Sequence, residues 1–326
     1  MYAKFNVNRD TANDFIRLLV NRRAYSIQAH KPLPNGNHPY FLAKDWNKNP
    51  EKRKPKPLDT DAVRMHLNGD ITVNLYAINP ETQRSKWVAI DGDFKGAIDA
   101  LFKLQWELKK DGVEAAIEPS RRGGHLWIFA AEPLLASECR IYIYNLALRL
   151  GVPIVGGGLK EGIEVFPRQD QLDEGEYGNG IRAPLGVHRR TNQRYWFYDA
   201  PPQPEAQLSY LDRIKKLNQD ELKSFIQGMN LPEAYKPKPI VPYIPAKTEG
   251  KRKEFFRILD YVRPTSKQGT EWVTRCPSCA QIGKDRSGDN LKISVKNPNF
   301  YRCWARCTKE QIRAALGKPI YAKQMA

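Results

Sequence analysis

The sequence predicts an α+β fold, because segments with strand character alternate with segments of helical periodicity along most of its 326 residues. The composition agrees, since 41% hydrophobic and 27% charged residues are ordinary for a globular protein and exclude wholesale disorder. The central alternation consists of strands at 86–91, 114–118, 126–130 and 163–166 and of helices at 97–110 and 134–150.

Local sequence signals predict the elements on either side of this alternation. They are a capped amphipathic helix from Asp10, a loop or arm rich in Pro, Asn and Lys at 31–58, a short helix at 58–67, and strands at 71–78 and 195–198. Asn68 and Gly69 stop the second helix, and Pro80 ends the first of these strands.

A domain boundary is expected after residue 230. The segment 205–229 predicts a helix with its apolar residues on one face, and five prolines follow between 231 and 245, which favours a semi-rigid tether. The chain then divides into a domain at 1–230 with its motifs in 86–199, a proline-rich linker with a short basic helix at 231–262, and a small module at 263–326.

The net charge of +17 indicates a polyanionic partner, most simply nucleic acid. The last 64 residues carry thirteen Lys and Arg against four Asp and Glu, so +9 of the excess lies in the small module. No stretch approaches the roughly 18 consecutive apolar residues of a membrane helix, and the N-terminus has no apolar signal region. We therefore expect a cytoplasmic protein with no membrane partner.

Acidic residues interrupt two of the predicted strands. Alternation puts Asp91 and Asp93 on one face of a strand, where two carboxylates repel each other unless a cation lies between them, and oxygen-only ligands suit Mg²⁺ or Mn²⁺. An ordinary turn has the same Asp-Gly-Asp pattern. Glu164 follows in a later apolar strand, where a carboxylate is costly to bury unless it is paired or bound to metal.

A basic turn precedes the strand at 126–130. It reads Arg121-Arg122-Gly123-Gly124-His125, so two arginines and a histidine stand beside glycines that permit close backbone approach, as phosphate sites require. A structural histidine at the end of a strand is the alternative interpretation.

Taken in order, these motifs resemble those of the archaeo-eukaryotic primase superfamily, the primase-polymerases. The likeness covers about residues 58–199 and is closest to primases of mobile elements and of TOTE-type conflict systems. The flanks carry it too: Leu67-Asn-Gly-Asp-Ile-Thr-Val-Asn-Leu-Tyr, Glu118-Pro-Ser-Arg-Arg-Gly-Gly-His-Leu-Trp-Ile-Phe, Glu164-Val-Phe-Pro-Arg-Gln-Asp and Gly178-Asn-Gly-Ile-Arg-Ala-Pro-Leu-Gly-Val-His.

The resemblance implies a fold, a reaction and a set of site residues. The fold is an RRM-like sheet with flanking helices, and the reaction is nucleotidyl transfer assisted by two divalent ions, Mg²⁺ or Mn²⁺. By this resemblance the ions are held by Asp91, Asp93 and Glu164, and the nucleotide triphosphate is contacted by His125 and Arg182, with Arg121 and His188 in comparable positions.

Two positions depart from the pattern of the superfamily, and two further acids need an assignment. Gly123 stands where many relatives carry Ser, so a hydroxyl contact to phosphate is lost or replaced, and the third acid is Glu164 where many carry Asp. Asp170 is the fallback for the third acid. We interpret Glu118 as a structural partner of the nearby arginines.

Four of the five cysteines lie in the small module as two close pairs, Cys276 with Cys279 and Cys303 with Cys307. Two such pairs are typical of a tetrahedral structural Zn²⁺ site in a ribbon, although a redox pair or free thiols remain alternatives. Basic and aromatic residues between the pairs suit single-stranded nucleic acid, unless the basic face is merely solvated. Such a ribbon resembles the zinc modules that help primases to start chains.

The prediction is therefore a template-dependent DNA primase-polymerase that makes primers de novo and extends them. Its expected partners are a single-stranded DNA template and nucleoside triphosphates, with a replicative helicase as a further candidate. A family member that only extends primers and a non-catalytic zinc-ribbon protein that binds nucleic acid are the two alternatives. The sequence has no phosphate-loop motif, so a fused helicase motor is not expected.

Overall fold

Two four-stranded sheets form the framework of the larger of the two units into which the chain folds, residues 1–239 and 240–326. The computed structural model describes residues 4–49, 52–236, 256–285 and 287–320. Residues 237–255, which hold most of the predicted linker and its short basic helix, lie outside the described residues.

The larger unit contains six helices among the residues described. They are α1 (Arg9–Leu19), α2 (Thr60–Asn68), α3 (Ala97–Lys110), α4 (Ala136–Arg149), α5 (Pro204–Arg213) and α6 (Gln219–Phe225). Its strands are β1 (Tyr25–Gln28), β2 (Tyr40–Leu42), β3 (Val73–Tyr76), β4 (Arg84–Gly92), β5 (Ala116–Pro119), β6 (Gly124–Leu135), β7 (Ile163–Phe166), β8 (Gly180–Arg182), β9 (Val187–His188) and β10 (Gln193–Arg194).

Both sheets are antiparallel, with the strand orders β2-β1-β3-β8 in the first sheet and β5-β6-β4-β7 in the second. Alternation along β4 divides its side chains between two cores. Ile90 faces one core together with the apolar residues of α3 and α4, whereas Ala89 faces the other core together with residues of α1 and α2. The polar residues at the end of β4 are therefore held on a rigid, doubly packed strand.

The smaller unit is a four-stranded antiparallel sheet with two short helices. Its described elements are β11 (Ser266–Gln268), β12 (Glu271–Thr274), α7 (Pro277–Gln281), β13 (Leu291–Ser294), β14 (Tyr301–Cys303) and α8 (Lys309–Ala315), and the strands pair in chain order. The predicted α+β class with a small C-terminal ribbon is thus confirmed.

The prediction of one helix over 205–229 is wrong. α5 ends at Arg213, and the next residues leave the helix so that Leu217 exchanges backbone hydrogen bonds with β6, to Phe129 O at 2.8 Å and from Ala131 N at 2.9 Å. Asn218 then begins α6 through a capping box with Glu221. A strong cap and the part of β6 that extends beyond its pairing with β5 together outweigh helix continuity here.

Three other predicted boundaries also differ from the structure. The predicted strand at 195–198 is absent, because the backbone of Phe197 is bonded on both sides by the buried side-chain amide of Gln207 instead of by a neighbouring strand. The expected loop at 31–58 contains β2, which pairs with β1. The helix expected from Leu134 begins at Ala136, since β6 extends as far as Leu135.

Candidate active site

Four ionisable residues form a row across the second sheet. Asp91 of β4 lies directly opposite Glu164 of β7 on one side and His125 of β6 on the other, and His125 in turn lies opposite Glu118 of β5. Directly opposed residues on neighbouring strands share a face of the sheet, so all four side chains lie on one face. Asp93 follows just beyond β4. The register of the sheet thus brings together polar residues from four separate segments.

The imidazole of His125 lies between two carboxylates. Nδ1 is 2.8 Å from Oε1 of Glu118, and Nε2 is 3.5 Å from Oδ1 of Asp91. Glu118 is completely buried, and Nη2 of Arg182 lies 3.6 Å from the same Oε1 atom. The arginine that Glu118 contacts is therefore Arg182, distant in the sequence, and not one of the nearby arginines of the turn that we expected; Glu118 also orients the histidine, which sequence reasoning missed.

Asp91, like Glu118, has a buried carboxylate oxygen that makes no hydrogen bond within the described residues. In Asp91 this atom is Oδ1. Burial raises the pKa of Asp91, and the negative charges of Asp93 and Glu164 raise it further, while His125 and Arg182 act in the opposite direction. A buried carboxylate oxygen facing other carboxylates is a position where a cation would be bound.

The other two acids of the expected metal triad are held by arginines. Asp93 forms an ion pair with Arg122, and Oε2 of Glu164 is 3.2 Å from Nη1 of Arg168. Neither arginine partner was foreseen from the sequence. The three carboxylates share a cavity, but among the described residues they do not form a cluster tight enough to surround one ion.

A cavity of about 420 Å³ lies between polar residues of the two sheets. All seven residues that the sequence assigned to catalysis or nucleotide binding line it: Asp91, Asp93, Arg121, His125, Glu164, Arg182 and His188. The sequence did not single out several further lining residues, among them Tyr40, Asn74, Ser120 and Arg190. Asn74 and Ser120 lie within the flanking segments that carry the resemblance, and Asn74 is opposite Arg182 in the register of the first sheet. The cavity is thus lined by both carboxylates and cations.

Two of the cavity's basic residues differ in charge state. Arg182 is nearly buried, and its Nη2 atom has no hydrogen-bond partner among the residues described. Burial, and after it the positive charges of Arg182 and Arg121, lower the pKa of His188 to about 4. His188 is therefore neutral near pH 7, whereas Arg182 presents a cationic donor to an anion.

The fallback acid, Asp170, is not among the residues that line the cavity. It forms an ion pair with the buried Arg140 and so connects the loop that follows β7 to α4. Glu164 is the third acid that the fold brings to Asp91.

The departure at Gly123 has a steric reason. A Cβ atom at this position would lie 2.0 Å from the carbonyl oxygen of Gly92, so a serine does not fit in this turn. Ser120 stands three residues earlier, its hydroxyl is buried, and it has no hydrogen-bond partner within the described ranges. The turn therefore still offers a hydroxyl to the cavity from a different position.

The residues of the cavity fit the ions that the resemblance implies. The donor set of Asp91, Asp93 and Glu164 consists of carboxylate oxygens alone, which suits Mg²⁺ or Mn²⁺, and the unpartnered Oδ1 of Asp91 is an available ligand atom. The unpartnered Nη2 of Arg182 provides a matching donor for phosphate.

The four cysteines of the smaller unit form a separate candidate metal site. Their sulfur atoms all lie within 4.8 Å of one another, which no other group of three or more potential ligands achieves in the described residues. The Sγ atom of Cys279 is 3.5 Å from that of Cys303 and 3.3 Å from that of Cys307. The buried Asp285 fixes the first knuckle by accepting the backbone N–H of Cys276 at 2.6 Å. Four clustered thiols fit a structural Zn²⁺ ion.

Comparison with known proteins identifies the larger unit. Residues 24–225 match the family described as "TOTE conflict system, Archaeo-Eukaryotic Primase domain". No curated protein matches the sequence. Similar solved structures include the polymerase domain of ligase D from Mycobacterium tuberculosis in complex with DNA (12% identity, 67% of this chain and 86% of that chain, TM-score 0.28) and the catalytic domain of primase RepB′ in complex with initiator DNA (11% identity, 63% and 93%, TM-score 0.31).

The chain belongs to the archaeo-eukaryotic primase family of TOTE conflict systems, because the match covers well over half of its length. Its larger unit is accordingly a nucleotidyltransferase domain, and the resemblance drawn from the ordered motifs is confirmed. None of the helices in the described ranges is both long and apolar enough to span a membrane.

Proposed function

We propose that this protein is a template-dependent DNA primase-polymerase, which makes primers de novo on single-stranded DNA and extends them. One observation carries the proposal. In a single cavity of the family's domain, a buried carboxylate oxygen of Asp91 and a guanidinium nitrogen of Arg182 both lack hydrogen-bond partners among the described residues. The first needs a cation and the second needs an anion, and a metal-bound nucleoside triphosphate supplies both.

Asp91, Asp93 and Glu164 are the residues that would hold the two divalent ions. When bound, such ions lower the pKa of the attacking hydroxyl and neutralise charge on the pyrophosphate that leaves. Arg122 and Arg168 would have to release Asp93 and Glu164, and they would then be free to contact phosphate themselves. In the structure each of the two arginines is paired with one of the acids.

The basic residues of the cavity would bind the triphosphate. His125 would face the phosphate through Nε2 while Glu118 fixes its other nitrogen, and Nη2 of Arg182 lies 3.6 Å from the same carboxylate. Ser120 would supply the hydroxyl that the glycine at 123 cannot carry. Since these side chains bind and orient phosphate, the reaction needs no protein nucleophile.

We further propose that the smaller unit is a zinc ribbon that assists initiation. Its exposed aromatic rings stand beside cations: Arg302 lies 5.1 Å from the ring centre of Trp304, and Lys309 lies 5.8 Å from that of Phe300. Such pairs suit the bases and phosphates of a single strand.

A de novo synthesis assay tests the proposal. The full-length protein is incubated with unprimed single-stranded DNA, labelled ribo- or deoxyribonucleotides, and Mg²⁺ or Mn²⁺. We expect labelled products from the wild type and none from the double variant Asp91→Ala/Asp93→Ala, because the ions lose two of their three ligands. Asp61→Ala, which removes an exposed carboxylate outside the cavity, is the control and should keep full activity.

The alternative functions predict other outcomes in the same assay. Products that form only when an annealed primer is supplied would identify an extending polymerase without priming activity. Absence of incorporation with either metal and either class of nucleotide would identify a non-catalytic nucleic-acid-binding protein and overturn the proposal.

A further inference from the structure

A hairpin follows the edge strand of the first sheet. After β2 the chain turns back on itself, so that the backbone N–H of Asp45 donates to Lys54 O at 2.9 Å and that of Lys56 donates to Ala43 O at 2.9 Å. We call residues 43–56 the basic hairpin, of which residues 50 and 51 lie outside the described part of the chain. Apart from Ala43, which is buried in the core, the described residues of this hairpin are exposed or half-buried.

The basic hairpin concentrates positive charge. Its sequence holds two acids and six cations, and the cations are all exposed: Lys44, Lys48, Lys52, Arg53, Lys54 and Lys56. Of the two acids, Asp45 is engaged within the hairpin, because its Oδ1 atom accepts the backbone N–H of Lys54 at 2.7 Å. Such a density of exposed cations attracts a polyanion.

Trp46 is the most exposed large hydrophobic side chain of the described residues, with 78% of its surface accessible. An exposed indole is costly in water unless it has a partner, and here it lies between Lys44 and Lys48 in the sequence. An aromatic ring among cations matches the alternating chemistry of unpaired bases and phosphates. Base pairs in a duplex have their faces covered, so a single strand fits better.

The hairpin is continuous with the candidate active site. Tyr40, on the strand that leads into the hairpin, lines the cavity together with Asn37 and His38 just before it. Tyr40 lies opposite Gln28, which also lines the cavity. A strand lying along the hairpin would therefore be led directly to the cavity wall.

We propose that the basic hairpin binds the single-stranded part of the template, with one base stacked on Trp46 and successive phosphates on its lysines. That the bound strand is a template rests on the proposed function, whereas the binding of single-stranded DNA to the hairpin does not. The test therefore measures DNA binding alone, without nucleotides or divalent ions, so that it can succeed even if no nucleotide is ever incorporated.

The first measurement uses full-length protein and a fluorescein-labelled oligothymidylate of about 20 nucleotides, longer than the roughly 4–16 nucleotides of a typical single-strand site. Trp46→Ala should weaken binding about 5-fold to 150-fold, the range for one base–aromatic stack. Trp106→Ala is the matched control, because this indole is 65% exposed on α3, which covers the opposite face of the second sheet. It should leave the affinity within about twofold of the wild type.

The second measurement removes charge from the hairpin. Lys48→Ala/Lys52→Ala/Lys54→Ala should lower the slope of log affinity against log salt by about 2, since each phosphate contact on a single strand contributes about 0.7. A control triple variant removes the three lysines of α3, Lys103, Lys109 and Lys110, and so makes the same change in net charge.

The proposal predicts that only the hairpin variants lose affinity, and that Trp46→Ala weakens single-strand binding more than binding to a blunt duplex of equal length. Equal losses for the hairpin and α3 triple variants would mean that net charge alone is responsible and would overturn it. Unchanged single-strand affinity in Trp46→Ala, or an equal loss for duplex, would overturn it as well.

Discussion

Arg182 and His125 are held by one buried carboxylate, that of Glu118, before any nucleotide is present. Preorganised donors lose little freedom when they bind, so each hydrogen bond to phosphate contributes close to its full value. At the scale of the single residue, the binding of the triphosphate should therefore depend strongly on these two side chains.

His125→Ala and Arg182→Ala should each raise the KM for nucleotide about tenfold to a hundredfold, since a hydrogen bond to a charged group contributes roughly 1.5–3 kcal/mol. Template affinity should stay near that of the wild type, because the proposed target of both residues is the triphosphate. Steady-state incorporation on a primed template gives the KM, and a binding titration gives the template affinity. A KM unchanged in both variants would show that the nucleotide binds elsewhere.

At the scale of the element, α2 is fixed to the first sheet through one neutral imidazole. His66 is fully buried, and its Nδ1 atom accepts the backbone N–H of Val73 on β3 at 3.1 Å. Its Nε2–H therefore donates to the carbonyl of Pro184, 3.0 Å away. Gly186 leaves room for the ring, since a Cβ there would lie 1.9 Å from Cε1 of His66. Protonation of Nδ1 would break this arrangement.

Burial lowers the pKa of His66 from 6.5 to about 3. Between those two pH values the imidazole is protonated in the unfolded chain and neutral in the folded chain. The stability that the neutral ring contributes is fully present above about pH 6.5. Below that pH it decreases by about 1.4 kcal/mol for each unit by which the pH is lowered. From about pH 7.5 to pH 5.5, the unfolding free energy should drop about 1.4 kcal/mol more in the wild type than in His66→Gln. Urea denaturation at each pH measures both unfolding free energies, and an equal decrease in the wild type and in His66→Gln would contradict this.

The elements differ in how far the sequence predicts them. α3 occupies the predicted range 97–110, because its apolar periodicity and its start and stop signals all lie within it. The split between α5 and α6 depends on a hydrogen bond between Leu217 and β6, a partner nearly ninety residues earlier in the chain, which local pattern does not encode. Local signals therefore predict the type of an element better than they predict the residue at which tertiary contacts end it.

The candidate site follows the same rule. Asp91, His125 and Glu164 were found through the order of their motifs, but that they form one row is a matter of register, which the sequence leaves open. The ion pairs of Arg122 and Arg168 with the acids depend on side-chain positions in space and had no signal in the sequence. Motif order thus selected the candidate ligands, and only the fold could identify their partners.

At the scale of the whole molecule, charge and chemistry are divided between the two units. The proposed catalytic acids and the cavity that they line belong to the larger unit, while the cysteine cluster and +9 of the net charge of +17 belong to the last 64 residues. Extension of a primer has a duplex to hold the growing end, whereas initiation must hold the first two nucleotides without one. The additional contacts that initiation needs should come from the smaller unit.

A protein cut near Ala246 should therefore still extend an annealed primer but initiate poorly on unprimed template. Cys276→Ser/Cys279→Ser in the full chain should behave in the same way, because a structural zinc site unfolds when two of its thiolates are lost. The free Cys139 lies in the buried core of the larger unit, so Cys139→Ala is the control for thiol loss and should initiate normally. Template affinity of the full chain should also fall more steeply with salt than that of the truncated protein, since fewer counterions are released without the basic unit. Equal initiation by the truncated and intact proteins would show that the cysteine-bearing unit has no part in starting chains.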